Sequence, residues 1–515
     1  MSISKKQIQL LVCIISSLIT YYIANGITAF LITPQFDALN HTLFYAGDYE
    51  VSLGRILLPA YGKFVSFRGV LSPFVISFRT VLYNGIISYL IYEYFPLDAP
   101  TILLYTGVLN ANVMMTSLCG VFKYVEDAYI FGNMLAVFGV FLLFTETDTK
   151  FACIKFCFAT MSLVVAVSIY QASVSYALST LILFIFIDSI NNHVGTKKYF
   201  RALLSFAISG IIYSALYKIV VYLKGVTVPN RDNSLSSLSN ISIIDLIHKI
   251  LNGYQEFYQA YYYNGFYLSK YNVVFNWLLF LIFISSLLYL FKELEIRRKI
   301  LSLLCIMVFP LLSLSTYILM EGNTIRWRYR IISPMFLWYI WQIICVIKVK
   351  QKLNVKTQIK KWIDVLCFGL IMMIFITNAR FSNAAYTVEK LLYDRALSQT
   401  TRILYDLSNI PEYKSGYTTV IVIGQLAKNN DLSNIAGDMK YLSAYFNSAV
   451  AYPQTLESYS NILGERIKVE YDQNIVDDYI KMQQVEEMPN YPMEGYIRVE
   501  NGKVIVKLSD PNEQK

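Results

Sequence analysis

The sequence predicts a polytopic α-helical membrane protein of about eleven transmembrane helices, ending in a small α/β domain on the far side of the membrane. Three observations predict it. Of 515 residues, 56% are hydrophobic and only 15% charged, where a soluble chain carries about a quarter charged. The apolar residues gather in long runs, and roughly 20 such residues cross a hydrocarbon core. After about residue 380 the chain returns to a soluble composition with mixed helical and strand periodicities.

By run length the spans fall at roughly 8–32, 72–94, 101–119, 129–145, 152–169, 172–190, 201–223, 273–291, 299–319, 331–347 and 363–379. The first follows Lys5 and Lys6, is longer than a signal-peptide core and lacks a small-x-small cleavage site. It therefore reads as an uncleaved span. Basic residues then set the orientation. Lys150 and Lys155, the group Lys197, Lys198 and Arg201, and the group Lys292, Arg297, Arg298 and Lys299 share the side of Lys5 and Lys6. So does the run Lys348, Lys350, Lys352, Lys356, Lys360 and Lys361. The positive-inside rule makes that side cytoplasmic. The loop at Glu93 and Asp98, with no basic residue, is the exception. An odd span count places the C-terminal domain outside. The net charge of +9 is thus a topology signal and not the footprint of a nucleic-acid partner.

Residues 1–380 form the transmembrane domain, with outer loops 33–69 and 224–271, and residues 381–515 the extracytoplasmic α/β domain. The first loop holds an amphipathic stretch, 51–67, that reads as lying along the interface. The second passes from a polar segment, 230–240, to an aromatic-dense helix carrying Tyr254, Phe257, Tyr258, Tyr261, Tyr262, Tyr263, Phe266 and Tyr267. In the outer domain, 383–407 is helical and TTVIVI (418–423) is a buried strand. Strands at 496–499 and 504–508 flank Asn501-Gly502, a strong hairpin signal. The internal symmetry of inverted-repeat transporters is not visible.

The seven cysteines lie in or beside apolar runs, no CxxC occurs, and the chain has three histidines. Neither a disulfide framework nor a zinc site is implied. P-loop, GxSxG and HExxH patterns are lacking, which leaves the corresponding ATPases and hydrolases without support.

Five polar groups carry possible chemistry. The first outer loop brings Asp37, His41, Asp48, Glu50 and Arg55 close together in sequence. A solvated loop explains them; so does a catalytic one, in which Asp48 or Asp37 serves as a general base and Arg55 holds a phosphate or carboxylate. Lys123, Glu126 and Asp127 occupy a short turn between spans, either as a local ion pair or as a substrate-facing cluster. Arg79 lies inside the second span, where an arginine is a functional candidate by default. Arg326, Arg328 and Arg330 crowd an outer loop, the side on which basic residues are disfavoured, and suit either anionic lipid in general or one lipid phosphate. Tyr170 and Gln171 at an outer turn, and the tyrosine-rich helix, suit stacking on sugar rings or an interfacial belt.

GRILLPAY (54–61) after an acidic first loop, FKYVEDAY (122–129), SIYQAS (168–173) and the terminal MPNYPMEGYIRVENGKVIVKLS (488–509) together resemble the phage-type serotype-conversion, GtrII-like, glucosyltransferases of the C-type multi-spanning fold. The resemblance implies a glycosyltransferase of the bacterial cytoplasmic membrane. Such an enzyme moves one sugar, usually glucose, from a polyprenyl-phosphate donor to a surface polysaccharide such as O-antigen, free or lipid-linked. It implies Asp48, with Asp37 behind it, as the base, Glu126 and Asp127 as the second acidic position, and Arg326, Arg328 and Arg330 around the leaving phosphate. The family's first loop often carries a more acidic cluster than this one. Direct displacement would invert the anomeric centre, and since no diphosphate is cleaved, no cofactor or metal is implied. The competing expectations are a polysaccharide polymerase and a lipid-linked-sugar transporter.

Overall fold

A computed structural model describes residues 4–30, 47–66, 72–145, 149–191, 193, 195–227, 243–263, 270–320, 333–352, 357–424, 426 and 453–510. The chain divides into two compact units, one running to Asn383 and the other from Ala384.

The first unit is helical. Its helices are α1 (Lys5–Phe30), α2 (Asp48–Ser52), α3 (Leu58–Val65), α4 (Pro73–Tyr94), α5 (Ala99–Asn110), α6 (Val113–Val121), α7 (Glu126–Phe144) and α8 (Thr149–Ile169). There follow α9 (Ser173–Asn191), α10 (Thr196–Lys224), α11 (Ile243–Tyr262), α12 (Lys270–Glu293), α13 (Ile296–Ser313), α14 (Ser315–Met320), α15 (Leu337–Lys352) and α16 (Thr357–Ser408), whose residues from Ala384 belong to the second unit. Among the described residues eight helices are long and apolar enough to cross a membrane, and a ninth span is the pair α5 and α6, bent by 52°. Among the described residues that is fewer than the eleven expected. The spans expected at 299–319 and 331–347 are the shorter α13, which carries Pro310 inside it, and the 16-residue α15. Outward-facing Ile8, Leu11 and Ile15 on α1 and Phe200, Leu203 and Ile211 on α10 leave an apolar belt for lipid.

The bend between α5 and α6 has a full hydrogen-bond account. Lipid offers no partners, so carbonyls released at a break must be satisfied within the protein. Asn25 Nδ2 donates to the Asn110 carbonyl at 2.7 Å, Asn378 Nδ2 to that of Ala111 at 2.9 Å, and Asn112 Nδ2 to those of Val108 and Leu109 at 2.9 and 2.8 Å. Asn112 also caps α6 by accepting from the Met115 amide at 3.0 Å. The side chain of Asn110 extends the network, donating to Thr20 Oγ1 at 3.0 Å and accepting from Asn84 at 2.8 Å.

The second unit has a four-stranded sheet, β1 (Thr419–Ile423), β2 (Lys468–Val469), β3 (Ile497–Glu500) and β4 (Lys503–Lys507), in the order β2-β1-β4-β3. β1 is parallel to both its neighbours, while β3 and β4 form an antiparallel hairpin. The hairpin turns at Asn501 and Gly502, both with positive φ, as a two-residue loop of this hand requires. Val420, Val422, Val504 and Val506 face one apolar layer with Ile403, Leu407 and Leu456; Ile421, Ile423 and Ile505 face another with Val476, Tyr479 and Met488. Cover on both faces is why β1 reads as an unbroken apolar run and not as an alternation.

Replacing Asn25 by leucine leaves the Asn110 carbonyl without that donor in apolar surroundings. We expect a loss of about 1–3 kcal/mol, read as a lowered midpoint in thermal unfolding of the detergent-solubilised protein.

Candidate active site

The site is built at the end of the bundle where α7 begins. Glu126 and Asp127 are consecutive residues in its first turn, 0% and 1% exposed. Negative charge is favoured there by the helix dipole and by amides that have no partner inside the helix. Those effects do not offset the burial of two carboxylates, and each has its own cation. Lys123 Nζ lies 2.7 Å from Glu126 Oε2, and Arg79 Nε, from α4, lies 2.6 Å from Asp127 Oδ2.

Each pair is held by neutral partners. The Tyr21 hydroxyl of α1 donates to Glu126 Oε1 at 2.5 Å, and Lys123 also donates to Ser77 Oγ at 2.7 Å. The Tyr61 hydroxyl of α3 donates to Asp127 Oδ2 at 3.1 Å, and Arg79 Nη1 donates to the Val65 carbonyl at 3.2 Å. The ring of Tyr61 stacks on Phe131 with centroids 5.3 Å apart. Burial first, then the charge of Asp127, pushes the Tyr61 hydroxyl well above its ordinary range. It therefore remains a donor at any working pH.

The segment between α2 and α3 is anchored by its backbone. Tyr217 donates its hydroxyl to the Ser52 carbonyl at 2.9 Å, Gln171 Nε2 donates to that of Leu53, and Tyr213 donates to that of Gly54 at 2.9 Å. The Leu57 amide donates to the Ser168 carbonyl at 2.9 Å. Gly54 has φ +88°, and a Cβ there would run into the side chains of Gln171 and Tyr213, so only glycine fits the approach. Arg55 follows, beside Tyr129 of α7 and Tyr170, whose rings stack 3.6 Å apart and 5° from parallel.

The sequence-derived residues thus separate. Lys123, Glu126, Asp127 and Arg79 come together as two buried ion pairs; Arg55, Tyr170 and Gln171 come together at the anchored loop. Tyr170 is 4% exposed and has Tyr129 against its face, so that face of its ring is taken. Asp48 sits apart: its side chain is 69% exposed and pairs with Lys224 at 3.2 Å. Asp37, Arg326, Arg328 and Arg330 lie outside the described residues. The residue given no role from sequence is Glu50. It is 5% exposed in α2, and no hydrogen bond or ion pair reaches its carboxylate among the described residues. Its one signal in the sequence was that it abuts Val51, where the amphipathic stretch starts.

A family model described as glucosyl transferase GtrII matches residues 26–339, more than half of the chain, and takes in every residue of both groups. No curated protein and no solved structure matches the chain.

Changing Arg79 to methionine strands Asp127 in a buried setting, which costs about 3–5 kcal/mol where one partner of a buried pair is removed. The double change Arg79→Met with Asp127→Leu should recover most of that loss in thermal unfolding. Equal destabilisation by the single and double variants would mean that the pair contributes little beyond packing.

Proposed function

The chain belongs to the GtrII family of glucosyl transferases, and from that premise we propose that it moves glucose from a polyprenyl-phosphate donor to a surface polysaccharide such as O-antigen. In this reading the protein is a multi-pass enzyme of the bacterial cytoplasmic membrane with its N-terminus in the cytoplasm. Its C-terminal unit is extracytoplasmic, on the side where the polysaccharide is.

The observation that carries the reading is how the acidic residues are paired. Glu126 and Asp127 are each neutralised and hydrogen-bonded, so they serve as fixed electrostatic supports and not as proton acceptors. Asp48 is held at the surface by Lys224. Among the described residues of the first loop, Glu50 is the buried carboxylate that retains its accepting capacity. It takes the role that the resemblance gave to Asp48, with Asp37 as the alternative from the same loop.

The chemistry follows in one displacement. An acceptor hydroxyl attacks the anomeric carbon while its proton passes to the Glu50 carboxylate. The bond from that carbon to the phosphate oxygen breaks, and the lipid phosphate departs with the electron pair. The new glycosidic bond forms on the opposite face, so the configuration inverts. Positioned proton transfer of this kind contributes about 10²–10⁴-fold. Cations near the departing phosphate stabilise the charge that develops on it. Arg326, Arg328 and Arg330 supply them by the resemblance, alongside the ion pairs of Lys123 and Arg79.

The test uses purified protein, radiolabelled polyprenyl-phosphate glucose and surface polysaccharide. Glu50→Gln should lower transfer by about 10²–10⁴-fold with the unfolding midpoint unchanged, while Asp48→Asn stays near wild type. The reverse pattern moves the base to Asp48. If the wild type moves no label from any polyprenyl-phosphate sugar, the donor class is wrong.

A further inference from the structure

Among the described residues of the first unit, the cations that are most deeply set are paired. Arg79, Lys123 and Lys198 have side chains no more than 19% exposed, and each meets a carboxylate within 2.7 Å. Arg55 is half-buried and meets no carboxylate among the described residues, and its Nε is sealed from solvent without a hydrogen-bond partner. A guanidinium cannot relieve this by losing its proton.

The neighbouring rings do not compensate. The Arg55 guanidinium carbon is 5.7 Å from the Tyr129 centroid and 5.7 Å from that of Tyr170. Equal distances to two nearly parallel rings 3.6 Å apart place it alongside the stack, over neither face. Ring edges carry partial positive charge and ring faces negative, so the cation gains little from either tyrosine. What the stack and the anchored loop provide is position: a planar five-donor group kept in one place with its charge unsatisfied.

We propose that Arg55, braced by Tyr129 and Tyr170, is a phosphate-binding site, and that its occupant is the phosphodiester of the lipid-linked donor. A phosphate at the guanidinium would supply the missing negative charge, through the hydrogen bonds that guanidinium and phosphate form. The choice of donor lipid rests on the transferase reading; the phosphate chemistry does not. A bilayer phospholipid carries the same group and is the other source to be tested.

The experiment measures binding of farnesyl phosphate to the full chain in phosphatidylcholine nanodiscs, for the wild type, Arg55→Gln and Arg55→Lys. Thermal unfolding without ligand confirms that each variant is folded. The wild type should bind, Arg55→Gln should lose affinity at least tenfold, and Arg55→Lys should fall between, since a lysine keeps the charge and loses the fork. Phosphatidylglycerol added to the discs should not displace farnesyl phosphate. Displacement at equal mole fraction would overturn the donor assignment in favour of a bilayer phospholipid. Unaltered binding by folded Arg55→Gln would overturn the site itself. Transfer of labelled glucose is scored separately. If farnesyl phosphate binds through Arg55 but no sugar moves, the transferase reading fails and the phosphate site stands. If Arg55→Gln transfers normally, the site fails and the reading stands.

Discussion

Two carboxylates at successive positions of one helix diverge by about 100°, so no single cation can serve both. Glu126 and Asp127 impose that condition on the first turn of α7. Its resolution fixes much of the bundle around them. Glu126 draws Lys123 back across the 3₁₀ turn Lys123–Val125 and takes Tyr21 from α1; Asp127 takes Arg79 from α4 and Tyr61 from α3. Four elements converge on two adjacent side chains. A helix that slid or turned would strand a charge where water cannot reach it, a penalty of several kcal/mol per ion. Apolar packing alone tolerates such a shift more readily, because dispersion contacts are exchanged for others of similar size.

That constraint separates the charges of this end of the molecule into two classes. Those on the spans are paired and hydrogen-bonded on nearly every side. Glu50 in α2 and Arg55 on the loop that follows are not: they stand five positions apart without an ion pair among the described residues. Yet this loop is not loose. Four of its backbone groups are bound by Tyr217, Gln171, Tyr213 and Ser168. Rigid backbone with unsatisfied charged side chains is the arrangement expected of a site that awaits a ligand, since the ordering cost is met in folding and the electrostatic gain is left for binding.

Run length located the eight long apolar helices, because a hydrocarbon core admits few alternatives to an apolar helix of that length. It did not locate the bend after Asn110, whose cause is three asparagines distributed over α1, the bend itself and α16. Nor did it show that α16 continues unbroken to Ser408: the change in composition near residue 380 alters what the helix meets, and nothing in the backbone there stops it. The hairpin at Asn501-Gly502 was legible because its turn chemistry is local. At the site, the charges of Arg79, Lys123, Glu126 and Asp127 were visible as anomalies in apolar surroundings. The pairing of Arg79 with Asp127 was not, since it joins different helices. The contrast between Asp48 and Glu50 was equally hidden, because two positions along one turn of α2 decide which carboxylate turns inward.

The stacked tyrosines connect the two classes of charge. Tyr129 stands two residues beyond Asp127 on α7, so the helix turn that fixes the buried carboxylates also fixes the ring beside Arg55. Tyr170 comes from the turn that supplies Gln171 to the Leu53 carbonyl and Ser168 to the Leu57 amide. The position of Arg55 is therefore set twice, through its own backbone and through the stack. The backbone route runs through α8, the turn after it and α10, and the stack leads back to the register of α7. A rotation of α7 would thus disturb the ion pairs and the guanidinium together. This coupling gives a physical reason for paired charges to be kept at this depth in the bundle: they hold in register the ring that stands beside Arg55.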